Sequence, residues 1–344
     1  MAIKIIKPGL FTTVQDKGRL GHQFEGYSPA GVMDRPSYEI LNTLLETEGQ
    51  PALEITMIGP TIKFLDQNLF AMTGAPFSAT LNGQPVSHQT VIKVEKNDVL
   101  EIGHVIHGMR GYIGFAKPLD IPLFEGSYAT HTRTGIGGFK GRALKVNDII
   151  PTQPSFLDYQ LIGRSSDFSS FTKARQLPIG LMDGPQLESF TRRTIKELEQ
   201  LEFTISENSD RMGYRLKGPS IQPFTDADII SEPVALGSVQ VPKDGHPIIL
   251  LNDRQTVGGY TKIGTVIDSD IVDIVQKQPG DKVKFEWMTF NEANEILARK
   301  NRKLEEAKAQ IRQRPQRLLH NIRPTQQKIK KVLKGDSIHG FKTN

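Results

Sequence analysis

The sequence predicts a mainly β protein, a sandwich or barrel divided into two β units and followed by a basic helix. Three observations carry that expectation. Short apolar runs recur between turn residues along most of the chain. The breakers, 31 Gly and 21 Pro, are spread evenly instead of gathering in linkers. Helical periodicity is scarce before the C-terminal region. At 344 residues the chain has room for two domains.

Taken in order, residues 53–58 alternate as a strand and stop at Gly59-Pro60, and 61–64 form the next strand. Residues 91–94 and 99–102 flank the turn Glu95-Lys96-Asn97-Asp98, and 112–116 read as a buried strand. Helices are expected over 35–46, with Leu41, Leu44 and Leu45 on one side, and over 186–200, with Ile195, Leu198 and Leu201. Ile58-Gly59-Pro60-Thr61-Ile62 is echoed by Lys217-Gly218-Pro219-Ser220-Ile221, each leaving one strand for another. Lys96-Asn97-Asp98-Val99-Leu100 is echoed by Pro279-Gly280-Asp281-Lys282-Val283. The echoes suggest two related β units, 1–150 and 176–290, joined by a Pro- and Ser-bearing junction at 151–175. In the tail, 291–344, Ala293, Ile296, Leu297, Leu304, Ala307 and Ile311 recur at helical spacing. Pro315 and Pro324 interrupt that pattern, and the last ten residues are expected to be disordered.

Hydrophobic residues at 37% and charged residues at 24% are ordinary for a soluble globular protein. No apolar run approaches the roughly 18 residues of a membrane span, and Lys7-Pro8 ends the first apolar stretch too early for a secretory leader. The absence of Cys removes disulfides, thiolate metal sites and cysteine nucleophiles. A cytoplasmic protein is expected. The net charge of +5 is uneven: from Asn291 onward 14 Lys and Arg face 5 Asp and Glu, so the body is slightly acidic. A basic helix suits nucleic acid or an acidic membrane, but the tail has one aromatic, Phe341, for base stacking. Packing against the body or a partner is therefore preferred, with no membrane or nucleic-acid role.

Three segments join Asp, Arg and Gly. Asn252-Asp253-Arg254-Gln255-Thr256-Val257-Gly258-Gly259-Tyr260 follows the apolar run 248–251, placing charge at a sheet end beside a backbone open to close approach. Ser209-Asp210-Arg211-Met212-Gly213-Tyr214-Arg215 repeats the pattern. Residues 12–34, with Gln15, Asp16, Gly18, Arg19, Gly21, Gly26, Gly31 and Asp34, read as a long binding loop. Singly, each is as well explained by a strand-end ion pair and a tight turn. Other signatures are missing. There is no Walker loop, no His-Glu-x-x-His, and the glycines at 135–141 lack a following helix. His104 and His107 read as solvated loop residues, and no metal set is expected.

Together these segments resemble the KipA / allophanate hydrolase subunit 2 family, which includes the carboxyltransferase domain of biotin-dependent urea carboxylase. The resemblance rests on Gly9-Leu10-Phe11-Thr12-Thr13-Val14-Gln15-Asp16 with Gly18-Arg19, Gly21 and Gly31-Val32-Met33-Asp34. It continues through residues 209–219, Asp228-Ile229-Ile230-Ser231-Glu232, Gln240-Val241-Pro242 with Asp244-Gly245, and Asp253-Arg254-Gln255-Thr256 with Gly258-Gly259-Tyr260. It covers about residues 3–300, in order. It implies two cyclophilin-like β-barrel subdomains with a site between them. It also implies the C subunit of a bacterial ATP-dependent 5-oxoprolinase, acting with a KipI-like B subunit and a LamB/YcsF-like A subunit to open the lactam to glutamate.

On that reading Arg211 and Arg254 bind anions, and Asp16 and Asp253 move a proton or order a cation. Gln15, Arg19, Tyr214, Gln255 and Tyr260 orient the ligand, over Gly258 and Gly259. ATP is used by the complex, with its site on this chain or a partner. Two alternatives stay open: a carboxyltransferase needing biotin on another protein, or a non-enzymatic antagonist of a KipI-like kinase inhibitor. The chain departs from the family at Lys117-Pro118, where Gly-Gly is usual, at Pro233 and at Thr261. These changes are expected near the site.

Overall fold

A computed structural model describes residues 1–171 and 178–313. The expectations for Pro315, Pro324 and the final residues, and part of the junction, lie outside the described residues. Among those described, the chain is mainly β, with four α-helices: α1 (Arg35–Leu45), α2 (Arg192–Leu198), α3 (Ile271–Val275) and α4 (Phe290–Gln313).

The first half packs two antiparallel sheets face to face. One has six strands, ordered Ile149–Pro151, Ala2–Lys7, Thr61–Phe64, Val99–Val105, Phe77–Leu81 and Gln84–Pro85. The other has five: Phe11–Gln15, Ala52–Thr56, Arg110–Phe115, Asn68–Gly74 and Ile92–Val94. Ile3, Ile5, Ile62, Phe64, Leu53, Ile55, Phe70 and Ile113 interdigitate between them. The five-stranded sheet is also covered on its outer face by α1, through Leu41, Leu44, Leu69, Ala71 and Tyr112. That is why Ala52–Thr56 is buried at every position, where a half-buried alternation was expected. Asp34 caps α1 by accepting from Ser37 N at 3.0 Å, and Glu46 ends it in the left-handed region.

The second half is one nine-stranded sheet. Its end strands, Lys282–Val283 and Phe285–Trp287, are adjacent in sequence, so the sheet curls into a nearly closed barrel. Its core of Leu181, Phe203, Tyr214, Val239, Ile249, Ile263 and Phe285 also takes in Met33 and Met109 from the first half. Asp228–Pro233 pairs with the outer part of Val257–Val266.

Several local expectations change. The helix expected over 186–200 is a 3-10 turn, Leu187–Ser189, then α2 alone; Phe190 adopts an extended backbone with its ring buried, which breaks the helix. The N-terminal loop is shorter than expected because Phe11–Gln15 is a strand. The second Gly-Pro segment leads into a loop, and the next strand begins only at Asp228.

The Asn-Asp turn, in contrast, recurs three times. Asp98, Asp148 and Asp281 each accept the N–H three residues earlier at 2.7 Å, from Glu95, Lys145 and Gln278. The preceding Asn97, Asn147 and Gly280 all have positive φ. Each turn docks on a strand residue, Phe64, Ile5 or Ile205, through a reciprocal backbone pair. Helix α4 then straps the halves together. Lys300 pairs with Asp270 at 3.2 Å and Asp273 at 2.9 Å, while Lys308 reaches Glu39 of α1 at 3.2 Å.

Candidate functional site

The halves meet where the loop after Phe11–Gln15 lies against residues 252–254. Asn252 donates to the carbonyls of Ala30 at 3.2 Å and Val32 at 2.9 Å, and its own carbonyl receives Ala30 N at 3.1 Å and Ser28 Oγ at 3.0 Å. Gly31 has φ +85, and a Cβ there would sit 2.7 Å from Gly18 Cα, so this crossing needs glycine. Gln15 is spent on the same crossing: Oε1 accepts Gly31 N at 3.1 Å and Nε2 donates to Thr130 O at 3.0 Å. Asp16 accepts from Ser127 Oγ at 2.6 Å, Tyr128 N at 2.8 Å and Gly18 N at 2.9 Å. Arg19, fully buried, donates to Ala129 O at 2.8 Å and lies over the Phe124 ring. These three hold the loop.

Beneath them lies a buried ion cluster. Arg211 donates to Asp253 through Nε at 3.0 Å and Nη2 at 2.8 Å, to Glu54, and to Gly31 O at 2.6 Å. Glu54 also accepts from Met33 N at 2.8 Å and Tyr112 Oη at 2.9 Å. Burial alone would lower the Arg211 pKa, but Asp253 and Glu54 outweigh it and raise it above the ordinary value. Arg211 and Asp253 are thus committed to each other, and four of the five Arg211 N–H groups are spent inside the protein. Tyr214 sits apart, fully buried against Arg110, with Met109 Sδ at 3.0 Å from its hydroxyl. The structure does not bring it to Arg254.

Arg254 differs in kind. It is 7% exposed, and its Nε and Nη1 donate to backbone carbonyls only, Val234 O at 3.0 Å and Leu251 O at 3.2 Å. No carboxylate among the described residues pairs with it, and burial lowers its pKa to about 10. Gln255 and Tyr260 are exposed beside it in sequence. Gly258 lets two side chains pack closely on its backbone: a Cβ there would lie 2.6 Å from Gln240 Nε2 and 3.0 Å from Val234 Cγ2. A Cβ on Gly259 would meet Ser231 Oγ at 3.2 Å. Nearby, the buried Lys262 pairs with Glu232 at 2.7 Å, and Gln186 donates to the same carboxylate at 2.8 Å. Those two hydrogen bonds, Lys262 first, hold the Glu232 pKa below the ordinary carboxylate value.

Sequence reasoning missed Gln240, Lys262, Glu232 and Gln186 as neighbours of this recess, and Glu54 as the second partner of Arg211. Gln240 and Glu232 lie in segments that carried the family resemblance, which was the available signal. In the glycine-rich loop 134–141, four backbone amides are already spent within the protein. The amides of Gly135 and Ile136 donate to His131 O, that of Gly138 to Tyr128 O, and that of Gly141 to Gly137 O.

The family departures separate. Lys117-Pro118 is not at this recess: Lys117 is buried, pairs with Asp66 and exchanges hydrogen bonds with Asn68. Pro118 lines a separate cleft of about 370 Å³ at the C-terminal end of α1. Thr261 does lie on the site strand, where its N–H donates to Ala227 O at 2.9 Å, a bond proline could not make. Pro233 precedes Val234, whose carbonyl holds Arg254.

The family described as carboxyltransferase domain, subdomain A and B, matches residues 25–287. The C component of the 5-oxoprolinase of Escherichia coli K12 is 35% identical over 292 residues, which is 85% of this chain and 93% of that protein. Its namesake from Haemophilus influenzae is 34% identical over 296 residues, 84% of this chain and 92% of that one. Among solved structures, the K. lactis urea amidolyase superimposes with a TM-score of 0.79 at 27% identity over 89% of this chain. The match spans only 20% of that enzyme.

Proposed function

Because the chain belongs to the family of the carboxyltransferase domain, subdomain A and B, we propose that it is the C component of an ATP-dependent 5-oxoprolinase. The observation that carries this reading is Arg254, a nine-tenths buried cation that no protein carboxylate among the described residues neutralises. A buried cation in that state gains most from an anionic ligand, and 5-oxoproline carries a carboxylate.

A lactam is a poor electrophile. Transfer of the γ-phosphoryl group of ATP to its oxygen, releasing ADP, makes the ring carbon attackable. Water then adds at that carbon, and the C–N bond opens as the nitrogen takes a proton. A second water releases phosphate from the resulting acyl phosphate, leaving glutamate. In this chain Arg254 holds the substrate carboxylate. Gln255 and Tyr260 border the ligand, while Gln15, Asp16, Arg19, Arg211, Asp253 and Tyr214 keep the two halves in register. The sequence holds no Walker loop, which favours an ATP site on a partner, a KipI-like B subunit or a LamB/YcsF-like A subunit. The chain alone is then inactive, and the complex is cytoplasmic. No helix of the described residues is long and apolar enough to cross a membrane.

The likeness to urea amidolyase supports a second reading, carboxyl transfer to urea or another amide from biotin carried on a separate protein. Co-purification with both partners, followed by glutamate release with and without ATP, separates the readings. Glutamate formed only when this chain and ATP are present is the expected result. A stable complex that makes none, and carboxylates urea when given a biotin carrier, would favour the second reading. Tight binding to the KipI-like protein with no turnover of either kind would favour the antagonist.

A further inference from the structure

We infer that Gln240 and Arg254 read the two ends of one ligand, a cyclic cis-amide that bears a carboxylate. The inference rests on the oxoprolinase reading and specifies which groups select its substrate. Gln240 is 6% exposed, and among the described residues its side-chain amide has no hydrogen-bond partner. Its N–H and C=O are therefore available to a ligand, and each hydrogen bond so made is worth about 0.5–1.5 kcal/mol. The amide packs against Gly258, where a Cβ would lie 2.6 Å from Nε2.

Val234 ties the two readers together. Its carbonyl accepts from Arg254 Nε at 3.0 Å, and its Cγ2 flanks the same point above Gly258 that lies 2.6 Å from Gln240 Nε2. A carboxamide and a guanidinium thus share one valine as a neighbour.

The chemistry of the pair defines the ligand. A ring amide is locked cis, so its N–H and C=O point to the same edge. A glutamine amide presents the complementary N–H and C=O side by side, and the two edges can exchange two parallel hydrogen bonds. An open-chain trans amide places its N–H and C=O on opposite sides and can match only one. Urea also offers a matching edge, but it has no carboxylate for Arg254. Gln240 therefore selects the amide edge, and Arg254 separates a carboxylated lactam from urea.

The test uses the complete complex with its partner subunits. Calorimetric binding of L-5-oxoproline, the KM for its turnover, and competition by pyrrolidin-2-one (ring amide without carboxylate) and L-proline (carboxylate without amide) are measured. The variants are Gln240→Leu and Arg254→Met. Each should weaken 5-oxoproline binding and raise KM by about 10- to 100-fold, with a smaller change in kcat. Gln240→Leu should also weaken pyrrolidin-2-one, and Arg254→Met should not. Unchanged KM in both variants, or equal loss of pyrrolidin-2-one binding in both, overturns the inference while glutamate formation by the wild type leaves the functional reading standing. A wild-type complex that makes no glutamate sinks that reading, and the calorimetry then decides this one alone. If a variant does not fold, the wild type still decides: pyrrolidin-2-one and L-proline must both compete, and failure of either counts against the pairing.

Discussion

Arg211 grips Asp253 through two hydrogen bonds, at 3.0 and 2.8 Å, across 42 residues of chain. The next residue, Arg254, is almost as buried but touches only carbonyl oxygens. Two arginines that look alike in sequence thus divide the work. Arg211 joins the halves, and Arg254 is left with no acidic partner among the described residues.

Arg211→Met should therefore act on stability. It leaves Asp253 and Glu54 buried without their cation, and removal of one partner from a buried pair typically costs about 3–5 kcal/mol. Urea unfolding monitored by the single tryptophan, Trp287, would measure it. A loss under about 1 kcal/mol would mean that the cluster is solvated, contrary to its burial.

Arg254→Met should do the reverse. Removing a desolvated cation with no acidic partner should change stability by less than about 1 kcal/mol, or raise it, while 5-oxoproline turnover falls. The pH dependence has a definite sign. The folded-state pKa, about 10, lies below the ordinary arginine value, so holding the charge costs stability below pH 10, and that cost is relieved as pH rises above it. Anion affinity should fall over the same range. A pH profile of substrate binding that stays flat past about pH 10.5 would contradict this.

His88 should set part of the acid sensitivity. Burial lowers its pKa from 6.5 to about 4, against a bond to Gly74 O at 3.1 Å that opposes the shift. The unfolded chain binds this proton first as pH falls. The stabilisation is therefore complete above about pH 6.5 and is lost on descending towards pH 4, by up to about 3 kcal/mol. Urea melts of wild type and His88→Asn at about pH 7 and about pH 4.5 should converge at the lower pH.

The strap helix gives an asymmetric prediction. Lys300→Met removes the cation shared by Asp270 and Asp273, which are 3% and 8% exposed, and should cost about 1–3 kcal/mol. Lys308→Met should cost less than about 1 kcal/mol, because Arg35 also pairs with Glu39. Thermal denaturation of the two variants side by side would show whether that order holds.

Much of the fold was legible in the residues. The helix expected over 35–46 is α1 almost to the residue, because its cap, its proline near the N-terminus and its leucine spacing are all local signals. The Asp turn before a strand was legible for the same reason, though the copy at 145–148 emerged only from the structure. The helix expected over 186–200 is too long because spacing cannot show that Phe190 is drawn out of register into the barrel core.

The site was legible only as a set of segments. The residues showed three Asp, Arg and Gly segments, and only the family resemblance implied one site for Gln15, Asp16, Arg211, Asp253, Arg254 and Gly258. The tertiary structure alone decided what each does. A hydrogen-bond partner 42 or 157 residues away, as for Arg211 with Asp253 and Glu54, leaves no trace in local spacing. Nor does the lack of a partner, which isolates Arg254 and Gln240. Whether a buried charge is scaffold or bait depends on the few ångströms around it, and those are filled by side chains from distant parts of the chain.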